Sequence, residues 1–197
     1  RKDAEVIEQR KREEIVALLR KCKTGRVVIY SNTVKRVEKL YKFLEKSGFS
    51  VACYHGKRKN KMEILQDFQN GKQRIMVCTN AFGLGVNIPD IRLVIHHAPL
   101  IGLDDYTQEV GRAGRDGKKS KAVLLWHSYD FTICERLIRK NALDLTGKEL
   151  KQRLAALHAL QAYAQTEDRC RWQMIREFFG EQPGKRCKKR CDYCKRK

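Results

Sequence analysis

Short apolar strand patterns alternate with helix patterns from Gly25 to Trp126, and this alternation constrains the fold more than any other feature of the sequence. The strand patterns are nearly continuous apolar runs, which is typical of strands buried on both faces. The predicted strands cover 26–31, 51–54, 74–79, 93–97 and 122–126. The pattern predicts an α/β domain whose parallel sheet has helices on both faces. Such sheets hold ligands at the carboxyl ends of their strands, so the loops after Tyr30, Thr79 and His97 are candidate site loops.

Segments of different character flank this region. Residues 1–23 carry an uneven apolar stripe on a helical pattern and are predicted to form a lead-in helix. After Asp130 the strand patterns stop, and the later helices are predicted over 131–141, 147–165 and 171–179. The predicted organisation is a lead-in helix (1–23), an α/β domain (24–130) and a small helical module (131–197).

The charge balance points to a polyanionic partner. The chain has 43 Lys and Arg against 23 Asp and Glu, a formal net charge of +20. This excess is typical of proteins that bind a phosphate backbone, although a merely solvated basic surface is the alternative. No apolar run approaches the roughly 20 residues that span a bilayer, and the first residues lack the apolar core of a signal peptide. The sequence therefore predicts an intracellular protein with no membrane partner.

An arginine-rich segment, QEVGRAGRDG, covers residues 108–117. Arg112 and Arg115 are three positions apart, so they are predicted to project to the same side of a helix end, here predicted over 104–112. Guanidinium groups are permanently charged planar donors that suit the charge on a transferring phosphoryl group. From the residues alone, the alternative is a helix C-terminus with arginines placed favourably for the helix dipole.

A glycine-containing loop follows the predicted strand that ends at Thr79. Gly83 and Gly85 free the backbone to present amide groups, which is a common way to bind phosphate. A purely structural turn explains the same residues equally well.

Four of the eight cysteines have metal-binding spacing. Cys170, Cys187, Cys191 and Cys194 are separated by sixteen, three and two residues. Four thiolates can surround one tetrahedral Zn²⁺, and the neighbouring Lys and Arg residues favour the thiolate forms. Disulfides or free thiols are the alternative. The five histidines show no metal-ligand spacing, and His96 and His97 are interpreted as packing or loop residues.

In order and spacing, these motifs resemble those of superfamily 2 helicases, and in particular the RecQ-type DNA helicases. The opening Gln108-Glu109 of the arginine segment is similar to the RecQ version of the last helicase motif. The run TNAFGLGVNIPD at 79–90 is similar to the RecQ motif that contacts nucleotide and DNA, and IYSNT at 29–33 is similar to an earlier strand-end motif. The resemblance covers about residues 25–194.

The sequence departs from the family pattern at three places. The family's Tyr-His-Ala-Gly element lacks its alanine at 54–56, and a very basic segment follows it. Asn87 stands where many members have Asp. The second and third cysteines are separated by one residue more than is usual in the family.

The resemblance implies the second RecA-like domain and the zinc module of an ATP-dependent enzyme that moves 3′ to 5′ on single-stranded DNA and separates duplexes. It makes Arg115 and Arg112 the catalytic arginines and assigns nucleotide contacts to Gln108, Gly85 and Asn87. It further implies DNA phosphate contacts at Ser31, Asn32 and Thr79, and structural Zn²⁺ at the four cysteines. ATP and Mg²⁺ would be bound mainly by a first RecA-like domain predicted to precede residue 1, because the sequence has neither a phosphate-binding loop nor a magnesium motif.

Two other functions remain open. One is a noncatalytic nucleic-acid-binding module whose arginines contact only backbone phosphate. The other is an RNA helicase of the same superfamily, which Gln108-Glu109 and the cysteines disfavour. The expected location is the nucleus in a eukaryote and the cytoplasm in a bacterium.

Overall fold

The computed structural model describes residues 2–83, 87–143 and 145–196. The chain divides into two compact units, the first formed by Arg1–Pro99 with Gln108–His127 and the second by Leu100–Thr107 with Ser128–Lys197. One boundary between these units, between Thr107 and Gln108, falls within a helix, where no change in sequence pattern marks it. The domain boundaries after residues 23 and 130 remain predictions.

The first unit is built on a five-stranded sheet with the order β2-β3-β1-β4-β5. Its strands are β1 (Arg26–Tyr30), β2 (Val51–Tyr54), β3 (Ile75–Cys78), β4 (Ile91–His96) and β5 (Lys121–Leu124). Every pairing is parallel, which confirms the predicted fold class. Cys78 lies beside Tyr30 and Tyr54, and Tyr30 also lies beside His96. The residues after these four strands therefore share one edge of the sheet.

Helices cover both faces of this sheet. They are α1 (Lys2–Lys21), α2 (Val34–Lys46) and α3 (Lys61–Gln69). Because side chains alternate along a strand, Val27 and Ile29 of β1 pack with apolar residues of α1 and α2, whereas Val28 and Tyr30 pack with Phe68 of α3. Only the C-terminal half of α1 contributes buried apolar side chains to this core.

The remaining helices are α4 (Leu103–Val110), α5 (Ser128–Lys140), α6 (Gly147–Gln165), α7 (Arg171–Phe178) and α8 (Asp192–Lys195). Helix α6 begins with a capping box, in which Thr146 and Glu149 satisfy each other's backbone amides. In the second unit the ring of Tyr163 on α6 lies 5.4 Å from that of Tyr106. None of the described helices is long and apolar enough to cross a lipid bilayer.

Candidate functional site

Four residues line the carboxyl edge of the sheet in the first unit, each directly after a strand. This edge row consists of His55 after β2, Thr79 after β3, Ser31 after β1 and His97 after β4. All four side chains are buried. The edge row therefore presents mainly backbone, together with the loops that leave it.

The buried hydroxyl of Ser31 contacts the imidazole ring of His97. Its hydroxyl lies 3.4 Å from His97 Nδ1, and the other ring nitrogen, Nε2, lies 2.9 Å from a carboxylate oxygen of Glu8 on α1. Lys11, one turn further along α1, donates a hydrogen bond to the His97 carbonyl at 3.2 Å. The DNA contact at Ser31 remains a prediction.

The carboxyl group of Glu8 is strongly acidic in this arrangement. Burial opposes its ionisation, but the hydrogen bond and charge of His97 outweigh burial, with help from Arg12 and Arg36, and lower the pKa of Glu8 to about 2. Glu8 is therefore a carboxylate at neutral pH. No feature of the sequence pattern marks Glu8 or Lys11 as partners of the edge row.

Asn32 and Thr79 are the other two predicted DNA contacts. The side-chain oxygen of Asn32, which is half-buried, accepts a hydrogen bond from Arg36 Nη1 at 3.4 Å. The Thr79 hydroxyl accepts one from the backbone amide of Ala81 at 3.4 Å. Both lie where adjacent strands end, so the structure brings Ser31, Asn32 and Thr79 to one region of the sheet edge.

The predicted helix over 104–112 is too long, because α4 ends at Val110. Gly111 follows, and the amides of Arg112 and Ala113 bond to carbonyls three residues back, at 3.2 Å and 3.1 Å. Arg112 and Arg115 therefore lie in a turn that continues the helix. Residues 111–120 are called the arginine loop below.

Arg112 reaches back to the loop that follows β3. Its Nη1 donates a hydrogen bond to the carbonyl of Gly83 at 2.7 Å. A Cβ atom at Gly83 would lie 2.3 Å from the guanidinium carbon, and Gly83 has a φ of 131°, so only glycine leaves room for this contact.

Arg115 is exposed, and its Nη1 donates a hydrogen bond to Asn87 Oδ1 at 3.3 Å. The structure therefore brings together a predicted catalytic arginine and a predicted nucleotide contact. Backbone hydrogen bonds fix the loop around Arg115, from the Gly114 amide to Ile91 at 2.9 Å and from the Asp116 amide to Pro89 at 3.3 Å. Arg92 and Asp116 add an ion pair. The loop is attached to the beginning of β4, away from the edge row.

The other two predicted nucleotide contacts are less defined. Gln108 is exposed on α4. Among the described residues, its side chain forms no hydrogen bond with the arginine loop. Gly85 lies outside the described residues.

Glu109, beside Gln108, is buried, and its carboxylate lies 2.8 Å from His96 Nε2. This pair fixes the end of α4 to β4 just before the arginine loop, a role that sequence reasoning missed because it treated His96 as a packing residue.

The four predicted metal ligands meet in the second unit. The sulfur atoms of Cys170, Cys187, Cys191 and Cys194 all lie within 4.8 Å of one another. Tetrahedral zinc with Zn–S bonds of about 2.3 Å separates its sulfur ligands by about 3.8 Å, close to the 4.0 Å between Cys170 and Cys191. The donor set therefore fits Zn²⁺.

Helix starts and backbone amides favour thiolate in this cluster. Cys170 precedes α7 and Cys191 precedes α8. Burial opposes ionisation of Cys170, but hydrogen bonds from the amides of Gln173 and Cys187 outweigh it and lower its pKa to about 6. In Cys194 burial and the neighbouring thiols raise the pKa to about 12. Cys170 is therefore disposed to be a thiolate at neutral pH, whereas Cys194 retains its proton, which a bound Zn²⁺ would displace.

The scaffold around the cysteines is tied by one bidentate ion pair. Arg171 donates to both carboxylate oxygens of Asp192 at 2.9 Å, and its guanidinium lies 5.2 Å from the ring of Tyr163. The additional residue between Cys187 and Cys191 is accommodated by a left-handed turn, in which Lys188 and Lys189 have φ values of 48° and 63°. Non-glycine residues adopt this conformation at a cost.

A parallel sheet covered on both faces, an arginine loop and a four-cysteine helical module together define the C-terminal part of a helicase-type motor. Residues 10–117 match the model of the helicase conserved C-terminal domain, and residues 128–195 match that of the RecQ zinc-binding domain. The chain belongs to the family of the helicase conserved C-terminal domain, and the zinc-binding domain that follows makes it RecQ-type.

Sequence relatives agree with this assignment, and a solved structure shares the fold. The chain is 32% identical over 182 residues to the ATP-dependent DNA helicase RecQ of Haemophilus influenzae, covering 90% of this chain and 28% of the relative. It is 35% identical over 183 residues to a protein of Acanthamoeba polyphaga mimivirus named as an ATP-dependent RNA helicase, covering 92% of this chain and 32% of that protein. The chain thus spans about a third of these relatives. The crystal structure of the E. coli DEAD-box protein SrmB shares the fold, with a TM-score of 0.56 and 24% identity over 66% of this chain and 79% of SrmB.

Proposed function

We propose that this chain is the second motor domain and zinc module of an ATP-dependent DNA helicase that moves 3′ to 5′ along single-stranded DNA. The observation that carries the proposal is the exposed Arg115 on a loop fixed by backbone hydrogen bonds to Ile91 and Pro89. A guanidinium on a fixed, solvent-facing turn can reach a phosphoryl group bound by another domain. Arginine fingers stabilise phosphoryl transfer in this way.

The roles divide between the two arginines and the preceding domain. Arg115 acts as the arginine finger, and Arg112, bonded to Gly83, supports the loop and the contact between domains. A preceding RecA-like domain binds most of the ATP and Mg²⁺, with Asn87 and Gln108 contributing from this chain. Closing and opening of the cleft between the two motor domains then moves DNA held at Asn32, Thr79 and Ser31.

Zinc has a structural role in this proposal. The four cysteines would supply all four ligands of a tetrahedral Zn²⁺, which would leave no open position for a reacting water. The module then supports the motor domain and contributes basic surface for single-stranded and duplex DNA. In a eukaryotic cell the enzyme works in the nucleus, and in a bacterium it works in the cytoplasm.

Steady-state ATP hydrolysis by the full-length enzyme tests the role of Arg115. Arg115→Ala is expected to lower kcat about a thousandfold or more, with nucleotide and DNA binding retained, because the side chain acts on the charge of the transition state. Lys119→Ala in the same loop is the matched control and should leave kcat within a few-fold of wild type. An Arg115→Ala enzyme with near-normal kcat would exclude the arginine-finger role, and normal kcat in Arg112→Ala as well would exclude a catalytic role for the arginine loop. Absence of ATP hydrolysis in the wild-type full-length protein would favour the noncatalytic nucleic-acid-binding module.

An RNA substrate is the second candidate, because the mimivirus relative is named as an RNA helicase. The two substrates are separated by measuring how strongly single-stranded DNA and RNA of equal length stimulate ATP hydrolysis by the full-length enzyme. Stronger stimulation by DNA is expected, and stronger stimulation by RNA would replace the DNA proposal.

A further inference from the structure

The chain around the end of α4 is attached to both ends of β4. In the first attachment, the Glu109 carboxylate lies 2.8 Å from Nε2 of His96, the last residue of β4. In the second attachment, the Gly114 amide donates a hydrogen bond to the carbonyl of Ile91, the first residue of β4, at 2.9 Å. The chain between the two attachments therefore runs back along β4, and it carries Arg112.

The first attachment is made by buried side chains. Glu109 is 4% exposed and His96 is fully buried. The imidazole ring is stacked on the ring of Tyr30 at the end of β1, with 5.2 Å between the ring centroids and 14° between the ring planes. A buried carboxylate is costly unless it has a partner, so Glu109 is held at this ring. The second attachment is a backbone bond, which a substitution at Glu109 leaves in place.

Arg112 belongs to the same buried group of side chains. Its Nη1 donates a hydrogen bond to the Gly83 carbonyl at 2.7 Å. Burial raises the pKa of the Tyr30 phenol above its usual value, Cys78 and Glu109 raise it further, and the guanidinium of Arg112 lowers it. The carboxylate of Glu109 and the guanidinium of Arg112 therefore both lie near the Tyr30 hydroxyl.

We propose that Glu109 is a positioning residue of the proposed reaction, and that it acts by holding Arg112 in place through its contact with His96. This inference rests on the proposed function. Without the contact, the chain before Gly114 loses its attachment to the end of β4, and Arg112 loses its fixed place beside Gly83. A displacement of about 1 Å at a group that serves the reaction can lower the rate about a hundredfold.

Steady-state ATP hydrolysis by the full-length enzyme tests this role. Glu109→Ala should lower kcat about tenfold or more and leave the KM for ATP within about threefold, because the loop is misplaced for the transition state. Glu109→Gln keeps an acceptor for His96 and should restore kcat to within about threefold of wild type. The matched control is Glu38→Ala, which removes the carboxylate that faces the buried His55 in the same unit. Its kcat should stay within about threefold of wild type.

A double-mutant cycle separates positioning from a general loss of stability. In an Arg112→Ala background, Glu109→Ala should lower kcat no further, because the residue that it positions is already absent. An equal loss in both backgrounds would overturn the inference, as would wild-type kcat in Glu109→Ala alone. If circular dichroism shows that Glu109→Ala is unfolded, His96→Phe takes its place in the cycle. That change keeps a ring beside Tyr30 and removes the contact with Glu109.

Hydrogen exchange in the 197-residue chain separates this inference from the proposed function. The amides of Arg112 and Ala113 bond to carbonyls three residues back, and in Glu109→Ala they should exchange about tenfold faster than in wild type. The amide of Val28 in the central strand should be unchanged. Unchanged exchange at Arg112 and Ala113 would overturn the inference. Faster exchange together with normal kcat in Arg112→Ala would place the failure in the proposed function and not in the attachment.

Discussion

Three buried histidines of the first unit each face a glutamate: His55 with Glu38, His96 with Glu109 and His97 with Glu8. Each pair connects the end of a strand to a helix, namely α2, α4 and α1. Buried polar groups are costly unless they have a partner, so these contacts help to fix how the helices meet the carboxyl edge. The pair with Glu8 extends through His97 to Ser31.

At the level of single residues, Glu8→Gln should lower the stability of this chain. The pKa of Glu8 is depressed to about 2 in the folded state from an ordinary value of 4.5. The stability it contributes is therefore complete above about pH 4.5 and is lost as the pH falls toward 2. After allowance for its partial exposure, we expect Glu8→Gln to cost about 1 to 2 kcal/mol at neutral pH, measured as the free energy of unfolding in urea.

The pH dependence provides the control for this prediction. The stability difference between wild type and Glu8→Gln should shrink on acidification below about pH 4.5. Glu5→Gln, exposed on the same helix, should match wild type throughout. A difference that stays constant down to pH 3 would show that Glu8 acts through packing rather than charge.

At the level of elements, the strands and most helices could be predicted, because the spacing of apolar residues along the sequence shows which face of an element is buried. The cysteine cluster could be predicted because its ligands are close in sequence. The end of α4 could not be predicted, because the backbone after Gly111 continues as a turn with hydrogen bonds between residues three apart, and its sequence pattern resembles that of the helix. The contact of Glu8 with His97 could not be predicted either, because the two residues are 89 positions apart and no local sequence pattern connects them.

The cysteine module is the element whose stability should depend on metal. One zinc per chain is expected by elemental analysis, and Cys191→Ser should abolish it and unfold the second unit, because metal binding contributes directly to folding. Cys134→Ser, a buried cysteine of α5 outside the cluster, is the matched control and should retain the metal. Metal-free folded protein with four freely titratable thiols would contradict the prediction.

At the level of the whole molecule, we propose that catalysis is distributed between this chain and a preceding motor domain. The sequence contains the arginine loop but no phosphate-binding loop or magnesium motif. We expect the 197-residue chain to show no ATP turnover, with or without single-stranded DNA, in a phosphate-release assay. Turnover above background that disappears in Arg115→Ala would show that this chain is catalytically complete and would disprove the division of roles.

The hydrogen bond between Arg115 and Asn87 has a consequence for the catalytic cycle of the proposed enzyme. The backbone of the arginine loop is fixed to β4 by hydrogen bonds, so within this domain the guanidinium changes partner by movement of the side chain, while closure of the cleft brings the nucleotide within its reach. Asn87 then acts as its resting partner, which the arginine must leave each time a nucleotide is hydrolysed. A neutral amide retains a cation less strongly than a carboxylate does, so the asparagine at this position favours rapid release of Arg115 toward the nucleotide.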